Sequence, residues 1–357
     1  METVELTRGT GSAEFAFTEE HTTLRDVLGD FFADANESGW RRLMSDVGAD
    51  EIVFDTSALN ASGASATAVD LAILAEQAGA ALFGGPLLPS VAVGVLAARV
   101  GDPALVAPLR EGTRTAAAAV KAHMTSDPSG GIDVTVAPVW TAGGADIAVL
   151  SGTLAGAPAV ALFTDGAGTL EELDGLDLSR PLGRFIARGV QPAVLLQGEE
   201  ATAAIAATAR QTDLVISAEL LGVAQQVLDS TVEYVDKRVQ FGRTIGSFQA
   251  VKHRLVDLLA AVELTRSAVY GAAWRLTGEP QLGTDIDLAV AGLLSRQTAL
   301  AVTKAAVQLH GGIAITWEHW AHRYLRRANS VVALTGSPTE YRRRLAHLID
   351  RRDGYRA

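Results

Sequence analysis

The sequence predicts an α+β protein in three consecutive parts: a helical N-terminal domain over residues 1–112, a small β-barrel or sandwich over 113–203, and a helical bundle over 204–357. Three observations carry this prediction. Apolar residues recur with helical spacing at both ends of the chain. In the middle they shorten to strand-like runs between Gly, Pro, Asp and Ser clusters. The 357 residues are 48% hydrophobic and 20% charged, which excludes disorder and fibrous repeats.

In the first part, Leu24, Val27, Leu28, Phe31 and Phe32 fall at i, i+3, i+4, i+7 and i+8, one apolar face of a helix that Thr18 can cap. A second helix runs from Val69 through Leu82 and is stopped by Gly84-Gly85-Pro86, and Val91 to Val100 adds a third. The middle part offers strands at Ala116–Val120, Ile132–Val139, Ile147–Leu150, Ala159–Phe163 and Ala193–Leu196, despite much alanine, a poor strand former. In the last part, Leu214, Leu221, Leu228 and Val235 repeat every seven residues, interleaved with Ser217, Ala224 and Thr231. Leucine on one seam and small residues on the other let antiparallel helices approach closely. Val251–Trp274, Leu288–Leu309 and Tyr341–Ile349 supply the remaining helices.

Composition excludes several classes of function. Without cysteine there is no disulfide, thiolate zinc site, iron–sulfur cluster or cysteine nucleophile. The N-terminus lacks a basic segment leading into an apolar stretch, so no secretory signal is expected. The most apolar window, about Ala145 to Phe163, is broken by Pro158 and reads as strands, not as a membrane span. A soluble, cytoplasmic protein is the expectation. The net charge is −11, but residues 319–357 hold nine Arg against Glu340, Asp350 and Asp353, a local +6 that leaves −17 elsewhere. Nucleic acid needs a dominant basic face and is not an expected partner. The arginines of the tail (Arg323, Arg326, Arg327, Arg342, Arg343, Arg344, Arg351, Arg352, Arg356) suit a small anion, the acidic side of another subunit, or plain solvation.

Two stretches stand out chemically. Arg238, expected in the last turn of a long helix, is followed by a Phe241-Gly242 turn, then Ile245, Phe248 and Gln249 at the start of the next helix. A guanidinium beside a helix break, an aromatic ring and an amide suit a flat, anionic ligand; the plain alternative is a basic C-cap and an ordinary loop. Farther on, Gln308 precedes the pair Gly311-Gly312, read as left-handed C-cap geometry that also admits a ligand close to the backbone. His319 and His322 stand at i, i+3, but only Glu318 joins them, and a helix surface is the better reading, with no metal site. Gly166-Ala-Gly168 lacks the third glycine of a dinucleotide fingerprint, and Trp317 and Trp320 read as core or interface residues.

Together, Arg238-x-x-Phe241-Gly242…Ile245…Phe248-Gln249 and Gln308-x-x-Gly311-Gly312 resemble the acyl-CoA dehydrogenase family of flavoproteins, and Glu76-x-x-Gly79…Gly84-x-Pro86-Leu-Leu-Pro89 is similar to the family's N-terminal text. The resemblance implies that family's fold, ending in a four-helix bundle, with FAD as cofactor and an acyl-CoA as substrate. It also implies tetramers in which Arg238, Phe241, Gln249, Gln308 and Gly312 hold the nucleotide portion of a neighbour's FAD, and an electron-transfer flavoprotein as acceptor. Family chemistry removes an α-proton with a glutamate while the flavin takes a β-hydride. The two positions used for that glutamate fall at Thr335, before Gly336, and at Thr212, beside Asp213. A threonine hydroxyl is no base near neutral pH. The family's flavin-cradling stretch corresponds to Val120–Gly130, where only Thr125, Ser126 and Ser129 offer hydroxyls. Three readings follow. The first is a base-lacking subunit of an α2β2 acyl-CoA dehydrogenase, of the kind acting on bulky or steroid side-chain thioesters. The second is an active homo-oligomer using Asp213, Glu219 or Glu340, and the third is a non-enzymatic assembly subunit.

Overall fold

A computed structural model describes residues 16–34, 39–55, 66–141, 144–164, 166–278 and 281–352. Arg356 and Asp353 of the basic tail lie outside the described residues. The first part holds α1 (Glu19–Asp34), α2 (Gly39–Ser45), α3 (Ala49–Phe54), α4 (Ala68–Ala80), α5 (Leu87–Val100) and α6 (Ala107–Arg110). Thr18 caps α1 as predicted, its Oγ accepting from the His21 N–H at 3.3 Å. Leu28, Phe31 and Phe32 are buried, but Val27 is 46% exposed and is not part of the core face. Helix α4 starts with a Thr67/Asp70 capping box. It stops earlier than its glycines: Leu82 itself takes φ 53°, two residues before Gly84. Helices α2 and α3, seven and six residues long, escape a periodicity reading because neither completes two turns.

The middle part is one seven-stranded sheet of β1 (Ala116–Ser126), β2 (Ile132–Trp140), β3 (Ile147–Leu154), β4 (Ala157–Phe163), β5 (Thr169–Leu173), β6 (Leu182–Val190) and β7 (Val194–Gln197). Its order is β5-β6-β2-β1-β3-β4-β7, antiparallel except for the β1/β3 pair. Three strands separate β6 from β4, yet Phe185 and Phe163 meet with ring centroids 5.3 Å apart. The sheet therefore curls around its own core in barrel fashion. Small side chains at Ala117, Ala119, Ala148, Ala159 and Ala161 fill that core, which is how alanine-rich segments serve as strands here. Strands β5 and β6 carry Gly, Arg and Glu where an apolar run would mark a strand, and the sequence reading missed both.

The last part holds α7 (Gly198–Lys237), α8 (Gln249–Leu276), α9 (Leu282–His310), α10 (Ala321–Thr335) and α11 (Pro338–Arg352). Helix α7 begins six residues before the expected boundary at 204. Its heptad residues Leu214, Leu221, Leu228 and Val235 are all buried, as are Ser217, Ala224 and Thr231. Helix α9 packs against α7, α8, α10 and α11. Helix α10 carries an apolar stripe at Ala321, Tyr324, Leu325, Ala328, Val331 and Val332 that the sequence reading passed over, and its buried positions also include Arg327 and Ser330.

Two arrangements lock the parts together. Where α4 crosses α7, a Cβ on Gly79 would lie 2.1 Å from the Glu219 carbonyl oxygen, and one on Gly222 1.8 Å from that of Glu76. The helices touch backbone to backbone, so the Glu76-x-x-Gly79 motif is a packing device. Nearby, fully buried Arg327 bonds Asp177 and, at 3.0 Å, Glu219; Arg180 meets Glu219 at 2.9 Å. This network ties the β5–β6 loop, α7 and α10 together. Burial opposes ionisation of Glu219, but Arg180 and Arg327 outweigh it and hold the carboxyl below its usual range. Among the described residues, no helix is long and apolar enough to cross a membrane.

Candidate functional site

At the end of α7 the backbone leaves the helix at Arg238, one residue beyond the last turn in which it was expected; its N–H still donates to Tyr234 O at 2.9 Å. There follows a hairpin of β8 (Val239–Gln240) and β9 (Arg243–Thr244). Its two-residue tip is Phe241 at φ 53° and Gly242 at φ 78°, a left-handed pair that only glycine adopts without strain. Phe241 is 91% exposed. The Ile245 N–H donates to Arg238 O at 2.8 Å and closes the loop. Arg243 lies over the Phe248 ring at 3.9 Å, and Phe248 leads into exposed Gln249, first residue of α8.

The end of α9 lies against this hairpin. Tyr234 and His310 stack with centroids 3.9 Å apart, and the Tyr234 hydroxyl donates to His310 O at 3.4 Å. Arg238, Phe241 and Gln249 therefore share one end of the bundle with Gln308, Gly311 and Gly312. Gln308 is exposed. Gly311 has φ 68° and ψ −144°, which is not the left-handed helical C-cap expected but a conformation reserved for glycine. Cβ atoms on Gly311 and Gly312 would meet nothing within 4 Å, so both backbones are open to an approaching group. Between them and Tyr234, His310 is 6% exposed, and neither ring nitrogen has a partner among the described residues. Burial, then nearby His319, pushes its pKa down to about 4.

A second feature is a cavity of about 800 Å³ where all three parts meet, bounded by α5, β1, β3, α7, α10 and α11. Thr212 and Thr335 both line it. Each hydroxyl is already donated to its own helix, Thr212 to Thr208 O at 2.8 Å and Thr335 to Val331 O at 2.7 Å. Thr335 Oγ also accepts from Arg296 at 2.7 Å. Asp213 accepts from the Tyr341 hydroxyl at 2.6 Å and from Arg344. Glu340 accepts from the Ser337 N–H at 2.7 Å, which with the Ser337 hydroxyl lowers its pKa. Glu219 lies in the Arg327 network and does not line the cavity, so it is no candidate for a base there.

Residues 203–347 match the model of the acyl-CoA dehydrogenase C-terminal domain. The acyl-CoA dehydrogenase IpdE2 of Mycobacterium tuberculosis is 32% identical over 87% of this chain and 86% of its own length. This chain belongs to the acyl-CoA dehydrogenase family. FadE34 of the same organism is also 32% identical over 96% of this chain, which spans only 47% of that longer protein. Among solved structures, the Tcur3481-Tcur3483 steroid acyl-CoA dehydrogenase variant superposes with a TM-score of 0.81 at 23% identity, over 94% of this chain and 99% of that one. The ChsE4-ChsE5 complex from Mycobacterium tuberculosis gives 0.79 at 24%, over 94% and 98%. The family is one of oxidoreductases, and the shared fold is helices, barrel and bundle as described.

Against the family pattern, the remaining residues singled out in the sequence fall as follows. Thr125 and Ser126 are exposed at the end of β1, and Ser129 donates its hydroxyl to Asp127 at 2.8 Å; none of the three lines the cavity. The cavity instead takes β1 upstream, from Ala118 to His123, across a bulge where Lys121 has φ 61°. His319 and His322 each engage one ring nitrogen locally, His319 accepting from the Ala321 N–H at 3.1 Å and His322 meeting Trp317 O at 2.9 Å. Trp317 is 65% exposed, while Trp320 packs on Tyr324. Gly168 lies under the Phe185 ring, a packing position. Sequence reasoning missed Tyr341 and Arg344 as cavity residues, and Arg296 buried behind them. One signal was available: Arg296 is the single charge between Asp287 and Lys304 on an otherwise apolar helix.

Proposed function

We propose that this chain is a subunit of a hetero-oligomeric acyl-CoA dehydrogenase that brings no base of its own and completes an FAD site held mainly by its partner. One observation carries the reading. The two positions where a base would stand, Thr212 and Thr335, face a single cavity, and both hydroxyls are committed to helix carbonyls. Asp213, the adjacent carboxylate, has both oxygens engaged.

The residues at the outward end of the bundle fit a dinucleotide. Open backbone at Gly311-Gly312 admits close contact, and the unpartnered His310 nitrogens sit beside it. Arg238 would pair with the pyrophosphate, Gln249 and Gln308 would bond amide-like edges, and Phe241 would cover an apolar face. Gly242, Ile245 and Phe248 shape the loop that presents them. FAD, when bound, supplies the hydride acceptor of an α,β-dehydrogenation. Two solved structures of the same fold, PigA and a glutaryl-CoA dehydrogenase from Mycobacterium smegmatis, hold FAD and FADH2. ChsE4-ChsE5 is a complex of two chains, and Tcur3481-Tcur3483 is a steroid acyl-CoA dehydrogenase. A cavity of about 800 Å³ has room for the bulky, steroid-type acyl portion of such a thioester. An electron-transfer flavoprotein is the acceptor that suits this chemistry.

Co-expression with a glutamate-bearing partner tests the proposal. An α2β2 assembly with one FAD per heterodimer is expected; a competent homotetramer of this chain with one FAD per subunit would replace the proposal with the homo-oligomer reading. Absence of flavin from every assembly would favour a non-enzymatic role.

A further inference from the structure

Three buried ionic clusters differ in how their charge is closed. Arg327 meets Asp177 and Glu219, and Glu219 also meets Arg180, so two guanidiniums face two carboxylates. Glu76 meets Arg25 at 2.8 Å and also Arg266; those arginines keep 30% and 23% of their side chains in solvent, and Arg266 reaches Glu263 as well. The third cluster lies in the wall of the cavity and is not closed. Arg296 is fully buried. Its Nε donates to Gly336 O at 2.9 Å, Nη1 to Gly292 O at 3.0 Å and Nη2 to Thr335 Oγ at 2.7 Å, with the Tyr341 ring centroid 4.0 Å away. No carboxylate lies within ion-pairing distance of it among the described residues. The one carboxylate of this cluster, Asp213, is taken by Arg344 and the Tyr341 hydroxyl. Two guanidiniums against one carboxylate leave an excess of +1 in a largely apolar enclosure, an arrangement that is costly until something anionic answers it.

The cluster is built into the fold. A Cβ on Gly292 would lie 2.2 Å from Tyr341 Cε1, so the absent side chain is what lets the ring lie against α9 and over Arg296. Glu340 lines the same cavity, held by Ser337 at the start of α11, but Lys121 on the opposite wall offsets its charge and the excess remains. Arg344 lines the cavity with 36% of its side chain accessible. Leu88, Ala92, Val149, Ile205, Ile216 and Leu334 make much of the rest of the lining apolar.

We infer that Arg344, backed by Arg296, makes the wall formed by α7, α10 and α11 a receptor for a carboxylate carried by a bulky, largely apolar ligand. Arg344 makes the contact and Arg296 is a positioning residue, fixing Thr335, Gly336 and Tyr341 while supplying the uncompensated charge. The inference deepens the proposed function, resting on it only in that the cavity carries no base of its own.

The test is calorimetric binding of cholate, a rigid polycyclic carboxylate, and of its methyl ester to the purified protein at neutral pH. The acid should bind about tenfold tighter than the ester, the scale of one charge-assisted hydrogen bond. Arg344→Gln should reduce that ratio to near unity while leaving the affinity for the ester in place, and Arg344→Lys should restore part of it. Arg296→Gln should lower the ratio too; should that variant not fold, the Arg344 pair carries the test alone. Equal affinity for acid and ester, binding of neither, or an undiminished ratio in Arg344→Gln would overturn the inference. The flavin stoichiometry of the assembled enzyme has no part in this readout, so the two ideas fail separately.

Discussion

The two ends of the C-terminal bundle are finished in opposite ways. At the Arg238 end the groups around the hairpin tip are turned outward: Phe241 is 91% exposed, Gln249 and Gln308 are exposed, and the Gly311-Gly312 backbone faces open space. At the Thr212–Thr335 end the groups around the two threonines are engaged within the chain: both hydroxyls bond their own helices, Asp213 bonds Tyr341 and Arg344, and Arg296 is sealed behind Thr335. The outward end offers backbone and side chains to a group held by another chain, whereas the enclosed end fixes its walls and leaves one part-accessible guanidinium, Arg344, facing the cavity. The same helix, α7, carries Thr212 in its first half and is capped by Arg238, so the contrast lies in side chains and not in the scaffold.

Breaking the scaffold should erase the contrast and have the largest effect. Glu219 on α7 stands between the two ends, so Arg327→Met, which leaves Glu219 and Asp177 without their shared cation, should cost about 3–5 kcal/mol in denaturant unfolding and impair both ends together. Gly222→Ala forces a methyl group toward the Glu76 carbonyl and should cost about 1–3 kcal/mol, with a lowered unfolding midpoint.

A pH titration sharpens the comparison from the outward end. With its pKa at about 4, His310 stays neutral in the fold at pH values where the unfolded chain, with an ordinary value near 6.5, takes up a proton. Stability should therefore fall as pH drops from about 6.5 to about 4. His310→Phe should flatten that part of the profile. It should leave the steeper acid loss, in which Glu76, Asp177 and Glu219 must be protonated below their ordinary values of 4.5, 3.8 and 4.5. An unchanged profile in His310→Phe would contradict the burial argument. The smallest effect on folding belongs to the hairpin: Phe241→Ala should change unfolding free energy by less than about 0.5 kcal/mol, because the ring has almost nothing to pack on in this chain.

The contrast also explains what could be read from the sequence. Long periodic elements were legible: the heptad of Leu214, Leu221, Leu228 and Val235 is buried as expected, and Thr18 caps α1. Elements held by tertiary contacts were not. Helix α10 buries Arg327 in an ion network that no local pattern reveals, and β6 runs through Gly183 and Gly189. At the site, the outward motifs were legible because unusual residue types at fixed spacing need few neighbours to make sense. The closed end was half legible. Thr212 and Thr335 were located in the sequence, but the cluster that saturates them brings together α7, α9 and α11 across more than a hundred residues, and only the lone charge of Arg296 hinted at it. Glu219 looked like a spare carboxylate until the Arg327 network accounted for it.

The most direct measurement is the flavin content of the assembled two-chain enzyme carrying Arg238→Gln in this chain alone. If this end of the bundle grips a dinucleotide seated in the partner, the variant should assemble and unfold like the parent yet lose most of its FAD, with catalysis falling in step. Full retention of flavin by the variant would show that the hairpin is only an exposed loop.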